Sequence, residues 1–206
     1  IDNRINAEGL HVNQNGAQPG DVAYKDINND GEITGDDQTI IGSGMSKVQF
    51  GLSFRLEYKG FDLNVSTYGA AGYQVLDYVD MALRSSYGAT NKSVDLINAW
   101  TPENPSTTIP RVYWASTGSV TNDMFSSRYL QNGAYWKIAN VEIGYNFPDK
   151  WFKGVISGAR LYVSGQNLAT ISKYRGYNID FAGGTFTPGY NYCSYPTPMT
   201  VMFGVN

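Results

Sequence analysis

Apolar and polar residues alternate one by one along several stretches of this chain, and that pattern predicts most of its elements. From Val48 to Tyr58, the residues Val48, Phe50, Leu52, Phe54, Leu56 and Tyr58 alternate with Gln49, Gly51, Ser53, Arg55 and Glu57. A period of two predicts a β-strand with one apolar and one polar face. Lys59-Gly60 then predicts a tight turn, because glycine accepts a positive φ. Phe61, Leu63 and Val65 alternate with Asp62, Asn64 and Ser66 in a second strand. Alternation returns over Tyr135 to Phe147, with Ala139, Val141, Ile143, Tyr145 and Phe147 set against Asn140, Glu142, Gly144 and Asn146. A fourth strand is expected near Ala159 to Leu168, and a fifth carries Val201, Phe203 and Val205. Between them, Val75 to Leu83 and Val94 to Trp100 have the spacing of short helices, the second with Ser93 as N-cap. Pro102, Pro105 and Pro110 disfavour regular structure beyond it.

The connections between the five strands run short, long, short, long. Antiparallel neighbours alternate ends, so both short connections fall at one end of the sheet and both long ones at the other. Short turns on one side and long loops on the other are the layout of an outer-membrane β-barrel. Strands of about 9–11 residues suit a tilted bilayer span, and Tyr58 and Phe61 flank the first turn, where an interfacial aromatic girdle would lie. The hairpin alone also fits a soluble sandwich. Five strands cannot close a barrel, and an isolated open sheet would expose its edges and an apolar face. The expectation is therefore an all-β fold: five antiparallel strands of a larger transmembrane barrel with long extracellular loops. Residues 1–47, polar and turn-rich, read as an extracellular loop; residues 48–206 carry the barrel strands and remaining loops, with Asn206 toward the periplasm. Phe50, Leu52, Phe54, Leu56, Leu63, Val65, Val141, Ile143, Phe203 and Val205 are expected on the lipid face, and Arg55, Glu57, Asp62, Asn64, Asn140 and Glu142 toward the lumen. The amino terminus resembles no signal peptide and reads as an internal start.

Composition narrows the function classes. Hydrophobic residues make up 42% of the 206 residues and charged ones 16%, few for a soluble surface. The formal net charge of −3 gives no sign of a nucleic-acid partner. The single cysteine, Cys193, allows no internal disulfide and reads as a small residue in a Tyr-rich loop. His11, the only histidine, lies in a polar segment, and Asp36-Asp37 and Asp77/Asp80 read as solvated acids. No zinc spacing, nucleophile elbow or phosphate loop is present, and nothing assembles a nucleophile, base and orienter, so the chain does not read as an enzyme.

One motif carries chemistry. Asp26 to Asp37 reads DINNDGEITGDD. Asp26, Asn28 and Asp30 stand at positions 1, 3 and 5 of a calcium loop, Gly31 at the sharp turn, Glu32 where a backbone carbonyl is used, and Asp37 at the closing position. Calcium needs several hard oxygens converging from one turn, which this spacing supplies; Thr34 at position 9 is a weaker candidate, through water. The same residues also form an Asx-rich turn without an ion. No helix pattern precedes Asp26, so a structural clamp fits better than a sensor. Tyr113, Trp114, Tyr190 and Tyr192, in the long loops, suit stacking on a sugar, contact with a protein, or packing in a barrel mouth.

Several stretches together carry a family resemblance: PGDVAYKDINNDGEITGDDQTIIG from Pro19, FGLSFRLEYKGFDLNV from Phe50, WTPENP from Trp100, RYLQNGAYWKIANVEIGYNFP from Arg128 and LYVSGQNLATISKYRGY from Leu161. With these the chain resembles, over nearly its whole length, the SusC/RagA family of TonB-dependent outer-membrane transporters. The resemblance implies a carboxy-terminal portion of a 22-stranded barrel whose plug, TonB box and remaining strands lie upstream. It implies import of glycans or peptides, powered by the TonB complex, with a SusD-like surface lipoprotein as a lid. Family chains usually end in an aromatic residue, so the expectation is that a few residues follow Asn206. The competing reading is a secreted calcium-binding all-β carbohydrate-binding module.

Overall fold

The computed structural model describes residues 5–85, 90–105, 108–113, 122–152, 158–180 and 186–206. Its strands are β1 (Val48–Tyr58), β2 (Phe61–Ala71), β3 (Gln74–Asp77), β4 (Leu130–Asn132), β5 (Tyr135–Phe147), β6 (Ala159–Ser172), β7 (Tyr190–Asn191) and β8 (Thr200–Val205), with one α-helix, α1 (Tyr78–Arg84). The chain divides into a loop unit, Ile1–Gly42 with Asp77–Tyr129, and a sheet unit, Ser43–Leu76 with Leu130–Asn206. The first boundary thus falls five residues before the segmentation at 47/48, and much of the long β2–β5 connection joins the loop unit.

The sheet unit holds a five-stranded sheet of order β1-β2-β5-β6-β8, antiparallel throughout. All five expected strands are there, β2 and β6 running further than the alternation indicated, to Ala71 and Ser172. Lys59 and Gly60 both take positive φ, 49° and 89°, the two-residue turn whose twist matches the flanking strands. Register turns the alternation into rows across the sheet. Leu56, Leu63, Ile143, Val163 and Phe203 form one apolar row, and Phe54, Val65, Val141, Gly165 and Val201 the next. The intervening row, Arg55, Asn64, Glu142, Ser164 and Met202, is polar except for Met202.

The strict alternation breaks at one place. Register slips in β5 between Ile138 and Asn140, against both neighbours, so Ala139 is a β-bulge rather than a member of the apolar face. Beyond it Trp136 and Ile138 take the apolar side, and Tyr135 and Lys137 the polar side. The opposing bulge in β6 includes Asn167, at φ 54°.

Outside the sheet the expectations are modified. The segment expected as a helix from Val75 begins instead as β3, which joins β4 and β7 in a three-stranded sheet that the alternation did not reveal. Val75 and Leu76 are buried there. The helix starts only at Tyr78, because Asp77 caps it by accepting from the N–H groups of Val79 and Asp80 at 3.1 Å. The Val94 segment forms a 3₁₀ turn, Val94–Asn98, with Ser93 accepting from the Asp95 N–H as its cap.

Candidate functional site

The two faces of the five-stranded sheet differ sharply. On one, Leu52, Leu56, Ile143, Val201 and Phe203 lie exposed, Phe203 at 78%. This contiguous apolar face has no partner among the described residues, and a water-soluble domain rarely leaves such a patch open. Aromatic rows bound it. At the short-turn end, Phe61 packs on Tyr145 (4.6 Å between ring centroids), Tyr145 on Phe147 (5.0 Å) and Phe147 on Trp151 (5.7 Å). Toward the other end, Phe50 and Trp136 flank Gly69 in register. From Tyr58 to Phe50 is roughly 27 Å along the strand at about 3.4 Å per residue. Tilted by about 40°, that becomes roughly 20 Å, near the ~25 Å apolar band of an outer-membrane barrel.

The opposite face is polar and internally paired. Asp62, 1% exposed, accepts from Arg160 Nε at 3.0 Å and from its Nη2, and Asn146 donates to it at 3.0 Å. Arg160 also reaches Glu142 at 2.6 Å. Gly144 makes this possible: a Cβ there would stand 2.5 Å from the Arg160 guanidinium. Of the six residues expected to face a lumen, Asp62 and Glu142 therefore meet on one cation, while Arg55 pairs with Glu57 at 2.5 Å. Asn140 accepts from the Ser164 hydroxyl at 3.3 Å.

Beyond the Ala139 bulge a second cluster forms that the sequence reading did not anticipate. Lys137, 3% exposed, donates from Nζ to Asp180 at 2.8 Å. Asp180 also accepts from the Tyr68 hydroxyl, and from that of Tyr135 at 3.4 Å. Burial pushes the Asp180 carboxyl up, but the Lys137 ammonium and the Tyr68 hydroxyl outweigh it and hold it below its ordinary value. The ion pair pins the loop after β6 onto the polar face of the sheet. One signal was available: Ile138 and Ala139 are adjacent apolar residues in an otherwise alternating strand, the mark of a phase slip.

In the loop unit, the calcium-type motif is folded by its own side chains. Asp26 is buried and accepts from the N–H groups of Asn29 (2.6 Å) and Gly31 (2.9 Å) and from the Asn6 amide (2.9 Å). Asn28 accepts from the Asp30 N–H at 3.0 Å, and Asp30 from the Glu32 N–H at 2.8 Å. Asp37 closes the loop, accepting from the N–H groups of Thr34 (2.8 Å) and Ile27 (2.7 Å). Those two donors hold its carboxyl below the ordinary value. Gly31 sits at φ 88°, as the sharp turn requires. Among the described residues no three acidic, histidine or cysteine side chains gather as a metal cluster; the acids turn toward backbone donors instead. Oδ2 of Asp26 already accepts two bonds, while the Asp30 oxygens accept one each and keep lone-pair capacity for a hard cation such as calcium. The same unit buries Asp21, whose carboxyl binds Arg111 at 2.6 and 3.1 Å and the Asn122 amide at 3.0 Å. Burial raises the Asp21 pKa, and these donors, chiefly Arg111, bring it below the ordinary value.

The aromatic candidates fall in different units. Tyr113 belongs to the loop unit, with the Arg111 guanidinium 5.5 Å from its ring centre. Tyr190 and Tyr192, in the sheet unit, stack on each other at 5.9 Å. Trp114 lies outside the described residues.

A sheet with a greasy, aromatic-bounded face and a charge-paired reverse has the layout of a β-barrel wall. No family model matches the chain. Individual proteins do. TonB-dependent receptor P3 of Formosa agariphila is 34% identical over 207 residues, covering 97% of this chain and 20% of that receptor. TonB-dependent receptor SusC of Bacteroides thetaiotaomicron is 27% identical over 193 residues, covering 92% of this chain and 18% of SusC. A structure of the RagAB peptide transporter aligns with 85% of this chain and 19% of its own, at a TM-score of 0.72 and 27% identity. The chain belongs to the SusC/RagA family of TonB-dependent receptors. It spans about a fifth of the length of the curated relatives it matches.

Proposed function

We propose that this chain forms the carboxy-terminal wall of a large, 22-stranded outer-membrane barrel that imports glycans or peptides. Transport is driven by the TonB complex, and a SusD-like surface lipoprotein covers the mouth. The observation that carries this reading is the exposed apolar face bounded by aromatic rows, backed by similarity to TonB-dependent receptors. That face also argues against the secreted carbohydrate-binding module, which would have to keep it in water. Plug, TonB box and the other strands belong to the rest of the receptor.

Two experiments test the proposal. Cells carrying the full-length receptor should accumulate labelled oligosaccharides or peptides only when TonB is intact, with the receptor in the outer-membrane fraction. Recovery of the protein in the soluble secreted fraction, or uptake indifferent to loss of TonB, overturns the reading. In the loop unit, Asp26, Asn28, Asp30, Glu32 and Asp37 would hold a structural calcium ion, which supplies positive charge to lock the turn. Chelation should then increase protease cleavage within residues 20–45 or weaken lid affinity while the barrel stays folded. Unchanged cleavage and unchanged lid affinity remove calcium from the account.

A further inference from the structure

The tetrapeptide Gln-Asn-Gly-Ala occurs twice in this chain, as Gln14–Ala17 and as Gln131–Ala134. An asparagine followed by glycine is chemically labile, because the glycine amide nitrogen has no Cβ beside it to hinder attack on the asparagine side chain. Identical neighbours give the two copies the same intrinsic reactivity. The fold then treats them in opposite ways.

In the second copy the attacking group is taken. Gly133 is buried, its N–H donates to the Tyr73 carbonyl at 3.0 Å, and the Tyr73 ring lies where a Cβ would stand. The Asn132 side-chain oxygen accepts from the Ala134 N–H at 2.8 Å, and Asn132 pairs with Gln74 across β4 and β3. In the first copy both central residues are exposed. They form a turn closed by the Ala17 N–H, which donates to the Gln14 carbonyl at 3.0 Å, with Gly16 at φ 75°. Neither the Asn15 amide nor the Gly16 N–H has a hydrogen-bond partner among the described residues.

We propose that Asn15 is a self-modification site, converting in the folded protein to isoaspartate and aspartate while Asn132 is preserved. The Gly16 nitrogen gives up its proton and bonds to the Asn15 side-chain carbonyl carbon. The carboxamide C–N bond breaks, and its nitrogen leaves as ammonia. Water then opens the resulting five-membered imide. Opening at the side-chain carbonyl gives aspartate, and opening at the main-chain carbonyl gives isoaspartate, with one extra methylene in the backbone. Either product adds a negative charge. The change falls beside two clamps on the loop unit. Gln14, buried, donates to the Val22 carbonyl at 2.8 Å and accepts from the Tyr24 N–H at 3.1 Å. Asn13 donates to the Gly31 carbonyl at 2.6 Å and accepts from the Ile33 N–H at 2.9 Å. A lengthened turn at Asn15 therefore bears on the segment that holds the Asp26–Asp37 loop.

The test follows the detergent-solubilised full-length receptor in mildly acidic and mildly alkaline buffer, by chromatography and tandem mass spectrometry of its peptides. In the folded receptor Asn15 should convert at least about fivefold faster than Asn132, the factor that one net hydrogen bond sets on freeing an amide. Isoaspartate should appear among the products, and the rate should rise with pH. In denaturant the two asparagines should convert alike. Gly16→Ala should slow conversion at Asn15 in both states; the denatured state removes any strain of an alanine at positive φ. The proposal is overturned if Asn15 stays intact in the folded receptor while it converts in denaturant, or if Asn132 keeps pace with it in the folded receptor. Aspartate as the sole product, or a rate unchanged in Gly16→Ala, overturns it as well, because direct hydrolysis would then be the route. None of these outcomes touches TonB-dependent uptake.

Discussion

The sheet unit and the loop unit are ordered by opposite means. In the sheet unit, backbone pairing between long strands fixes the structure, and large apolar side chains face outward, as with Phe203 at 78% exposure. In the loop unit the strands are replaced by turns, and carboxylates and amides such as Asp26, Asp21 and Asn122 bind backbone and guanidinium donors around a few buried residues, among them Val12 and Tyr129. The lesson concerns solvent. Where hydrocarbon is the neighbour, the backbone must be satisfied within the sheet and apolar side chains cost nothing outside. Where water competes, local polar geometry has to be over-determined to hold a loop still.

Four substitutions or conditions break or sharpen this contrast. The largest effect is expected for Asp62→Ala in the full-length receptor, which removes the more buried of Arg160's two carboxylate partners, leaving Glu142, and should cost about 3–4 kcal/mol in denaturant unfolding from vesicles. A loss below ~1 kcal/mol would mean that the polar face is solvated rather than paired. Next, Phe54→Arg on the apolar face should cost about 2–4 kcal/mol in the bilayer; a neutral result would mean that this face meets water. Third, Asp26→Ala should leave barrel stability unchanged while orphaning backbone donors in the loop unit, at about 1–3 kcal/mol. Limited proteolysis should then cut within residues 20–45, and an unchanged digest would contradict local control of that loop.

The smallest effect comes from acid. The Asp180 and Asp21 carboxyls lie below the ordinary 3.8. Each therefore contributes its full stabilisation above that value and loses it as pH falls through the lower, folded-state value. Below about pH 4, hydrogen exchange should rise around residues 173–180 and around Asp21, and Asp180→Asn should abolish the pH dependence at the first site only. A rise that begins near neutral pH would point to a different group.

How much of this was legible in the sequence depended on the range of the forces involved. β1 could be read to its last residue because its alternation is unbroken, and the Lys59-Gly60 turn follows from local chemistry. The Asp26–Asp37 loop was visible because most of its side-chain bonds fall within a dozen residues, although its contacts with Asn6 and Asn13 were not. The Ala139 bulge showed only as two adjacent apolar residues, Ile138 and Ala139, a signal masked by the small size of Ala139, which suits either face. Lys137–Asp180 and Asp62–Arg160 were not legible at all, since register and loop path bring together residues distant in the chain. The three-stranded sheet was missed because β3, β4 and β7 are too short to show a period.

β1 and β8 each keep one edge that pairs with no other strand among the described residues. Lipid tails offer no hydrogen bonds, so neither row of N–H and C=O groups can enter a bilayer alone. Insertion and zipping to neighbouring strands must then be a single concerted event. The segment behaves as a seam, stable in a membrane only at the moment both of its sides are sewn.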